Sequence, residues 1–235
     1  PYDVSTCTLA SQTTNLDSST HTSGSQAGDF DHDGSQNRKH RLQGIEINND
    51  GTKLFLIWMD AADADVGARL LEYTLSTPYD LTTLSLVTTA GIELAPSTTN
   101  GVENPASMRF SANGKRIFVI SHDSGDAGIT QISLDKAYDT SSYKLDGRLN
   151  LFSGVSPKNK EPRGVAFNSS GLKIYIGSDF NWDSETEAND GDNPDQVLEF
   201  DLVCPFNIFA GKCTSITDNS DRTGIAEAQI ELARR

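Results

Sequence analysis

One short pattern recurs three times along the chain, and each copy turns on a glycine. The copies read Gly44-Ile-Glu-Ile-Asn-Asn-Asp-Gly51-Thr-Lys-Leu-Phe-Leu, Ser107-Met-Arg-Phe-Ser-Ala-Asn-Gly114-Lys-Arg-Ile-Phe-Val and Gly164-Val-Ala-Phe-Asn-Ser-Ser-Gly171-Leu-Lys-Ile-Tyr-Ile. Before each turn, apolar and polar residues alternate as in a half-buried strand. At the turn, glycine tolerates the positive φ of a tight hairpin. After it comes an aromatic and β-branched run suited to burial on a pleated surface. A strand-built unit recurring at about 60 residues points to a radial β-array of the propeller type.

Each unit offers four strand-like stretches. The first strands are expected over 44–48, 107–111 and 164–168, the second over 53–58, 116–120 and 173–177, and the third over 70–75, 130–134 and 197–202. Next comes a second shared signature: Pro78-Tyr79-Asp80, Ala137-Tyr138-Asp139 and Pro205-Phe206-Asn207. There the aromatic ring can pack beneath the turn while Asp or Asn bonds nearby amides. A fourth, outer strand is expected near 84–88, 148–152 and 214–217. The fold class is therefore all-β, a β-propeller fragment of about three four-stranded blades. The blades occupy 1–217, and 218–235 reads as a linker and short C-terminal helix.

Pro1-Tyr2-Asp3 is a fourth copy of the loop signature and reads as the stray outer strand of another blade. An open arc exposes apolar blade faces and sheet edges, which invite association. The expected partner is a second copy, two partial rings completing one propeller.

The inner-strand run Pro162-Arg163-Gly164-Val165-Ala166-Phe167, matched with changes by Pro105 to Phe110, resembles the blades of YVTN-like bacterial surface β-propellers over roughly residues 40–217. The segment Asp221-Arg-Thr-Gly-Ile-Ala-Glu-Ala-Gln-Ile-Glu-Leu-Ala resembles the stretch after the propeller in large autotransporter-like surface proteins of marine alphaproteobacteria. The resemblance implies a propeller segment of an exported passenger. It is specific for fold and not for activity, since propellers host lyases, lactonases and binding modules alike.

Nineteen Lys and Arg against 33 Asp and Glu give a formal charge of −14. That balance excludes a nucleic-acid-binding surface, which needs clustered cations. No run of about 18 apolar residues exists, so no helical membrane insertion is expected. Loops rich in Ser, Thr, Asn, Asp and Gly fit an extracytoplasmic protein, at the cell surface, secreted or periplasmic. Cys204 and Cys213 bracket a short hairpin and form the candidate disulfide, with unpaired thiols as the alternative.

Asp29, Asp31 and Asp33 at alternate positions, followed by Gly34 and Ser35, match the start of a calcium loop. Side chains at that spacing converge on one hard cation, and calcium is the candidate cofactor. Position twelve is His40 and not Glu, so a true EF-hand is not expected. The loops after the second strands are acidic in every repeat: Asp60, Asp63 and Asp65, then His122, Asp123 and Asp126, then Asp179 and Asp183. With Arg41 and Arg163 they form the candidate ligand face, open to a glycan or protein ligand; solvated charge is the plainer reading of most of them.

No Gly-x-Ser-x-Gly elbow and no phosphate-binding glycine loop occur. The expected function is a non-enzymatic binding, adhesion or scaffold segment of a surface propeller. The alternative is a propeller hydrolase or lactonase with an acidic, metal-dependent site on the loop face.

Overall fold

Each repeat folds into its own antiparallel meander, strand beside strand in chain order. The computed structural model describes residues 40–60, 68–87, 91–94, 105–121, 127–150, 161–179 and 196–209. Blade 1 contains β1 (His40–Ile47), β2 (Lys53–Asp60), β3 (Ala68–Leu75), β4 (Leu84–Leu86) and β5 (Ile92–Glu93). Blade 2 contains β6 (Pro105–Phe110), β7 (Arg116–Ser121), β8 (Gly128–Leu134) and β9 (Tyr143–Asn150). In blade 3 the described strands are β10 (Glu161–Phe167), β11 (Lys173–Asp179) and β12 (Gln196–Asp201). The first strands lie side by side, β1 against β6 and β6 against β10, so the sheets radiate from a common inner edge. This is a three-blade arc of a β-propeller.

The turn glycines do what the sequence requires of them. Gly51, Gly114 and Gly171 have φ of 73°, 68° and 70°. Over each lies the aromatic residue of the same blade's loop, and a Cβ there would sit 2.2–2.4 Å from the ring of Tyr79, Tyr138 or Phe206. The aromatic N–H in turn donates to the glycine carbonyl at 2.8–2.9 Å in all three blades. To reach this pose, Tyr79, Tyr138 and Phe206 adopt φ of 62°, 56° and 51°, a left-handed conformation costing about 1–3 kcal/mol each in a residue with a side chain. Asp80 and Asp139 fix the loops by accepting from the N–H and hydroxyl of Thr82 and Ser141, and Asn207 accepts from the N–H of Phe209. Those bonds hold the Asp80 and Asp139 carboxyls below the usual range.

The core lies between blades. Phe55, Ile57 and Leu70 of blade 1 pack on Met108, Phe110, Ile117, Val119, Ile132 and Leu134 of blade 2. Phe118, Ile120 and Ile129 of blade 2 pack on Ile174, Ile176, Phe200, Leu202 and Ile208 of blade 3. Both joints repeat one aromatic triple. Phe55–Phe110–Tyr138 has ring centroids 4.6 and 5.0 Å apart, and Phe118–Phe167–Phe206 has 4.6 and 5.2 Å. Fully burying each such side chain contributes about 1.5–3 kcal/mol.

A polar latch also repeats at both joints. Lys53 Nζ donates to Glu72 Oε1 at 2.5 Å and to the Tyr138 carbonyl of the next blade at 2.6 Å. Glu72 Oε2 accepts from the N–H of Thr140 at 2.9 Å and from its hydroxyl at 2.7 Å. One blade further on, Arg116 Nη1 donates to the Phe206 carbonyl at 2.8 Å, and Gln131 Oε1 accepts from the N–H of Ile208 at 3.0 Å. Glu72, Thr140 and Gln131 are thereby satisfied across the joints, while Arg116 Nε has no hydrogen-bond partner among the described residues. Nearer the inner edge, Arg109 Nη1 donates to Glu46 Oε2 at 3.1 Å. Burial pushes the Glu46 carboxyl up, and the Arg109 charge pulls it back.

Several expected boundaries are corrected. The first strands start at His40, Pro105 and Glu161, ahead of 44, 107 and 164, because a bulge carries each strand past its glycine or serine. The outer strand of blade 1 is split, β4 and β5 both pairing with β3. In blade 2 the outer strand starts at Tyr143, not 148. Charged Lys144, Asp146 and Arg148 interleaved with Tyr143 and Leu145 hid it, and Asp146 is an extra bulge residue that accepts from Gln131 Nε2 and Ser133 Oγ. The expected strand near 214–217, the helix within 218–235 and the Pro1-Tyr2-Asp3 segment lie outside the described residues.

Candidate functional site

The two ends of the arc differ in chemistry. One end carries the hairpin turns and aromatic loops, closed by backbone and aromatic contacts. At the other, the first strands begin, the second strands finish, and the acidic connections leave the sheets.

At that second end all three inner strands carry a bulge in the same place. The register slips between Leu42 and Gly44, between Pro105 and Ser107, and between Pro162 and Gly164. Gln43, Ala106 and Arg163 are therefore the extra residues. A bulge bends its strand, increases the local twist and re-aims a side chain, and such bulges concentrate at sheet edges and beside active sites. Arg163 is exposed there.

Beyond the bulge, cross-strand register sets pairs of residues opposite each other. His40 lies opposite Asp60, and Arg41 opposite Met59, in blade 1. Glu161 lies opposite Asp179 in blade 3. Blade 2 differs: Pro105 faces Ser121, a buried residue whose hydroxyl takes a hydrogen bond from Arg148 Nη2 at 3.0 Å. The equivalent Ser178 of blade 3 is also buried, and among the described residues its hydroxyl has no hydrogen-bond partner. The backbone thus brings Arg41, Asp60, Arg163 and Asp179 from the expected ligand face to one end of the arc.

Other expected site residues fall elsewhere. Asp63, Asp65, His122, Asp123, Asp126 and Asp183 lie outside the described residues, as do the calcium-loop candidates Asp29, Asp31, Asp33 and Ser35. Among the described residues no three His, Cys, Asp or Glu side chains group to hold a metal ion. Cys204 is disulfide-bonded, while Cys213, its expected partner, is outside the described residues. Arg109 joins two blades through Glu46. Glu161, Ser121 and Arg148 were not singled out from sequence. Glu161 was discoverable, since it directly precedes the Pro162-Arg163-Gly164 signature; the reach of Arg148 from an outer strand leaves no local signal.

Comparison with solved structures agrees on architecture. The arc is similar to a putative 6-phosphogluconolactonase from Bacteroides uniformis, with 16% identity and a TM-score of 0.44 over 69% of this chain and 37% of that one. It is similar to the periplasmic gluconolactonase of Pseudomonas aeruginosa, with 14% identity and a TM-score of 0.43 over 69% and 37%. A Lactobacillus plantarum protein matches with 13% identity and a TM-score of 0.44 over 69% and 38%. The chain spans little more than a third of the length of these structures. No family model matches the chain, and no curated protein matches it.

The expectation of a non-enzymatic binding, adhesion or scaffold segment is corrected by these neighbours, two of which are named for lactonase activity. Their likeness bears on the fold alone at such identities. The case for the alternative rests on the residues at the strand ends.

Proposed function

We propose that this chain is part of a propeller hydrolase of the lactonase type, working at the end of the arc where the acidic connections leave the sheets. The observation that carries the reading is the His40–Asp60 cross-strand pair in blade 1, with Arg41 adjacent, at the same end as Arg163 and the Glu161–Asp179 pair. A histidine placed in register with a carboxylate-bearing residue supplies the residue types of general-base hydrolysis, in which the histidine takes a proton from attacking water. An arginine stabilises the negative charge that develops on the carbonyl oxygen. Opening a lactone by water needs those two roles: the water oxygen bonds to the carbonyl carbon, the ring C–O bond breaks, and the proton passes to the released hydroxyl. The substrate class that fits a polar, charged mouth is a hydroxyl-rich sugar lactone. Disulfide bonding at Cys204 supports an oxidising, extracytoplasmic compartment.

The test is hydrolysis of glucono-δ-lactone by the chain, followed as acid release near neutral pH. We expect turnover above the uncatalysed rate and a loss of about 100-fold or more in His40→Gln. A wild-type rate equal to background, or a variant as fast as wild type, sinks the reading.

A further inference from the structure

Blades 1 and 2 each clasp the loop of the blade that follows. Among the described residues, blade 3 carries the same clasp with nothing in it. Lys173 begins β11 as Lys53 begins β2 and Arg116 begins β7. Glu199 stands opposite Tyr175, as Glu72 stands opposite Phe55 and Gln131 opposite Phe118. In blade 3 these groups turn on each other: Lys173 Nζ bonds Glu199 and Asp201. Both carboxylates are about half exposed, whereas the Glu72 side chain is 3% exposed. Val197 on the same face is 73% exposed. Among the described residues, a Cβ at Gly164 or Gly177 would meet nothing within 4 Å.

The loops show the matching imbalance. Tyr138 lies against Phe55 of the blade before it and its carbonyl is held by Lys53, and the Phe206 carbonyl is held by Arg116 of the blade before it. Tyr79, in the same left-handed pose over Gly51, is 61% exposed. Among the described residues there is thus one open clasp, at one end of the arc, and one unclasped loop at the other.

We propose that the two belong together in different molecules: the open face of blade 3 receives the Pro78-Tyr79-Asp80 loop of a second copy of this chain. Lys173 Nζ donates to the Tyr79 carbonyl, and Glu199 accepts from the N–H of Leu81, two residues on, where Thr140 and Ile208 stand in the two joints within the chain. The contact continues an interface the chain already builds twice, and it pairs a charged donor and acceptor with a loop offering a carbonyl and an N–H. Leu54, Leu56, Leu71, Tyr73 and Leu75 on the outward side of blade 1 are already buried, so on that side the contact rests on the loop. A head-to-tail contact of this kind closes when two three-blade arcs meet at both ends.

The experiment is the solution mass of the full chain by sedimentation, with two variants. Lys173→Glu reverses the clasp at an exposed site. Leu81→Pro removes the N–H at the first position of the 3-10 turn Leu81–Thr83, where proline is tolerated and Asp80 before it is extended. Matched far-ultraviolet circular dichroism confirms that both variants are folded, since loss of pairing by itself lowers the melting temperature. The expected result is a two-chain mass for wild type, at least a tenfold weaker association for each variant, and recovery of a two-chain species on mixing them. Recovery follows because Leu81→Pro keeps an intact clasp and Lys173→Glu an intact loop. A single-chain mass for wild type overturns the proposal, as does a two-chain mass that either variant leaves unchanged.

Discussion

The face that blade 2 turns to blade 3 and the face that blade 3 turns outward are built on the same positions. Phe118, Ile120 and Ile129 in blade 2 become Tyr175, Gly177 and Val197 in blade 3, and Gln131 and Ser133 become Glu199 and Asp201. The apolar filling has shrunk or gained charge, while the cation that starts the second strand persists as Arg116 and Lys173. The two functions of a blade face are therefore separable. Apolar volume holds the closed joint, and the polar clasp sets the register of whatever docks.

The largest test of this difference is truncation of the paired aromatic rings. Phe118 is fully buried between blades, so Phe118→Ala is expected to cost about 3–5 kcal/mol. Tyr175→Ala, at the equivalent partly open position, is expected to cost about 1 kcal/mol or less. Denaturant unfolding measures both, and equal losses would erase the distinction between closed joint and open face.

Next in size is the acceptor of the clasp. Glu72→Ala strips the partner from Lys53 and from Thr140 in a buried joint, with an expected loss of about 3 kcal/mol. Measured below the concentration at which two copies pair, Glu199→Ala leaves Lys173 at the surface with Asp201, and the expected change is within about 0.5 kcal/mol. Thermal melting of the pair sharpens the comparison, because only the joint with a neighbour turns the acceptor into stability.

The smallest effect is one of pH. Hydrogen bonds from Thr82 and Ser141 hold Asp80 and Asp139 below the ordinary carboxyl range. A carboxyl with a depressed folded-state pKa contributes stability that is complete above the unfolded value of about 4 and is lost as pH falls through the lower folded value. Melting temperature should therefore decline on acidification below about pH 4, and the double substitution Asp80→Asn, Asp139→Asn should flatten that decline. An unchanged acid profile in the double variant would remove these loops from the account.

Sequence legibility followed distance along the chain. The hairpin at Gly51 and the Pro78-Tyr79-Asp80 loop, each with two further copies, were readable because both carry strong local signatures, whereas their contact was not, since the spacing between glycine and ring differs in every blade. The clasp was not: Lys53 reaches Glu72 at a separation of 19 residues and Tyr138 at 85, and Glu72 reaches Thr140 at 68. Nothing local marks a lysine at the start of one strand as the partner of a carbonyl in the next blade. At the candidate site, Arg163 was legible through its Pro-x-Gly setting. The bulge that displaces it was not, because a one-residue slip depends on the partner strand. Glu161 opposite Asp179 was missed for a similar reason, since pairing across a sheet is decided by register and not by neighbours in sequence.

Tyr79, Tyr138 and Phe206 each send a backbone N–H into the glycine carbonyl of their own hairpin. Those three amides can therefore act as isotopic clocks, one per blade, whose deuterium uptake times the opening of that sheet alone. Read side by side, they would rank the blades by how readily each comes undone, and the terminal members of the arc should tick fastest.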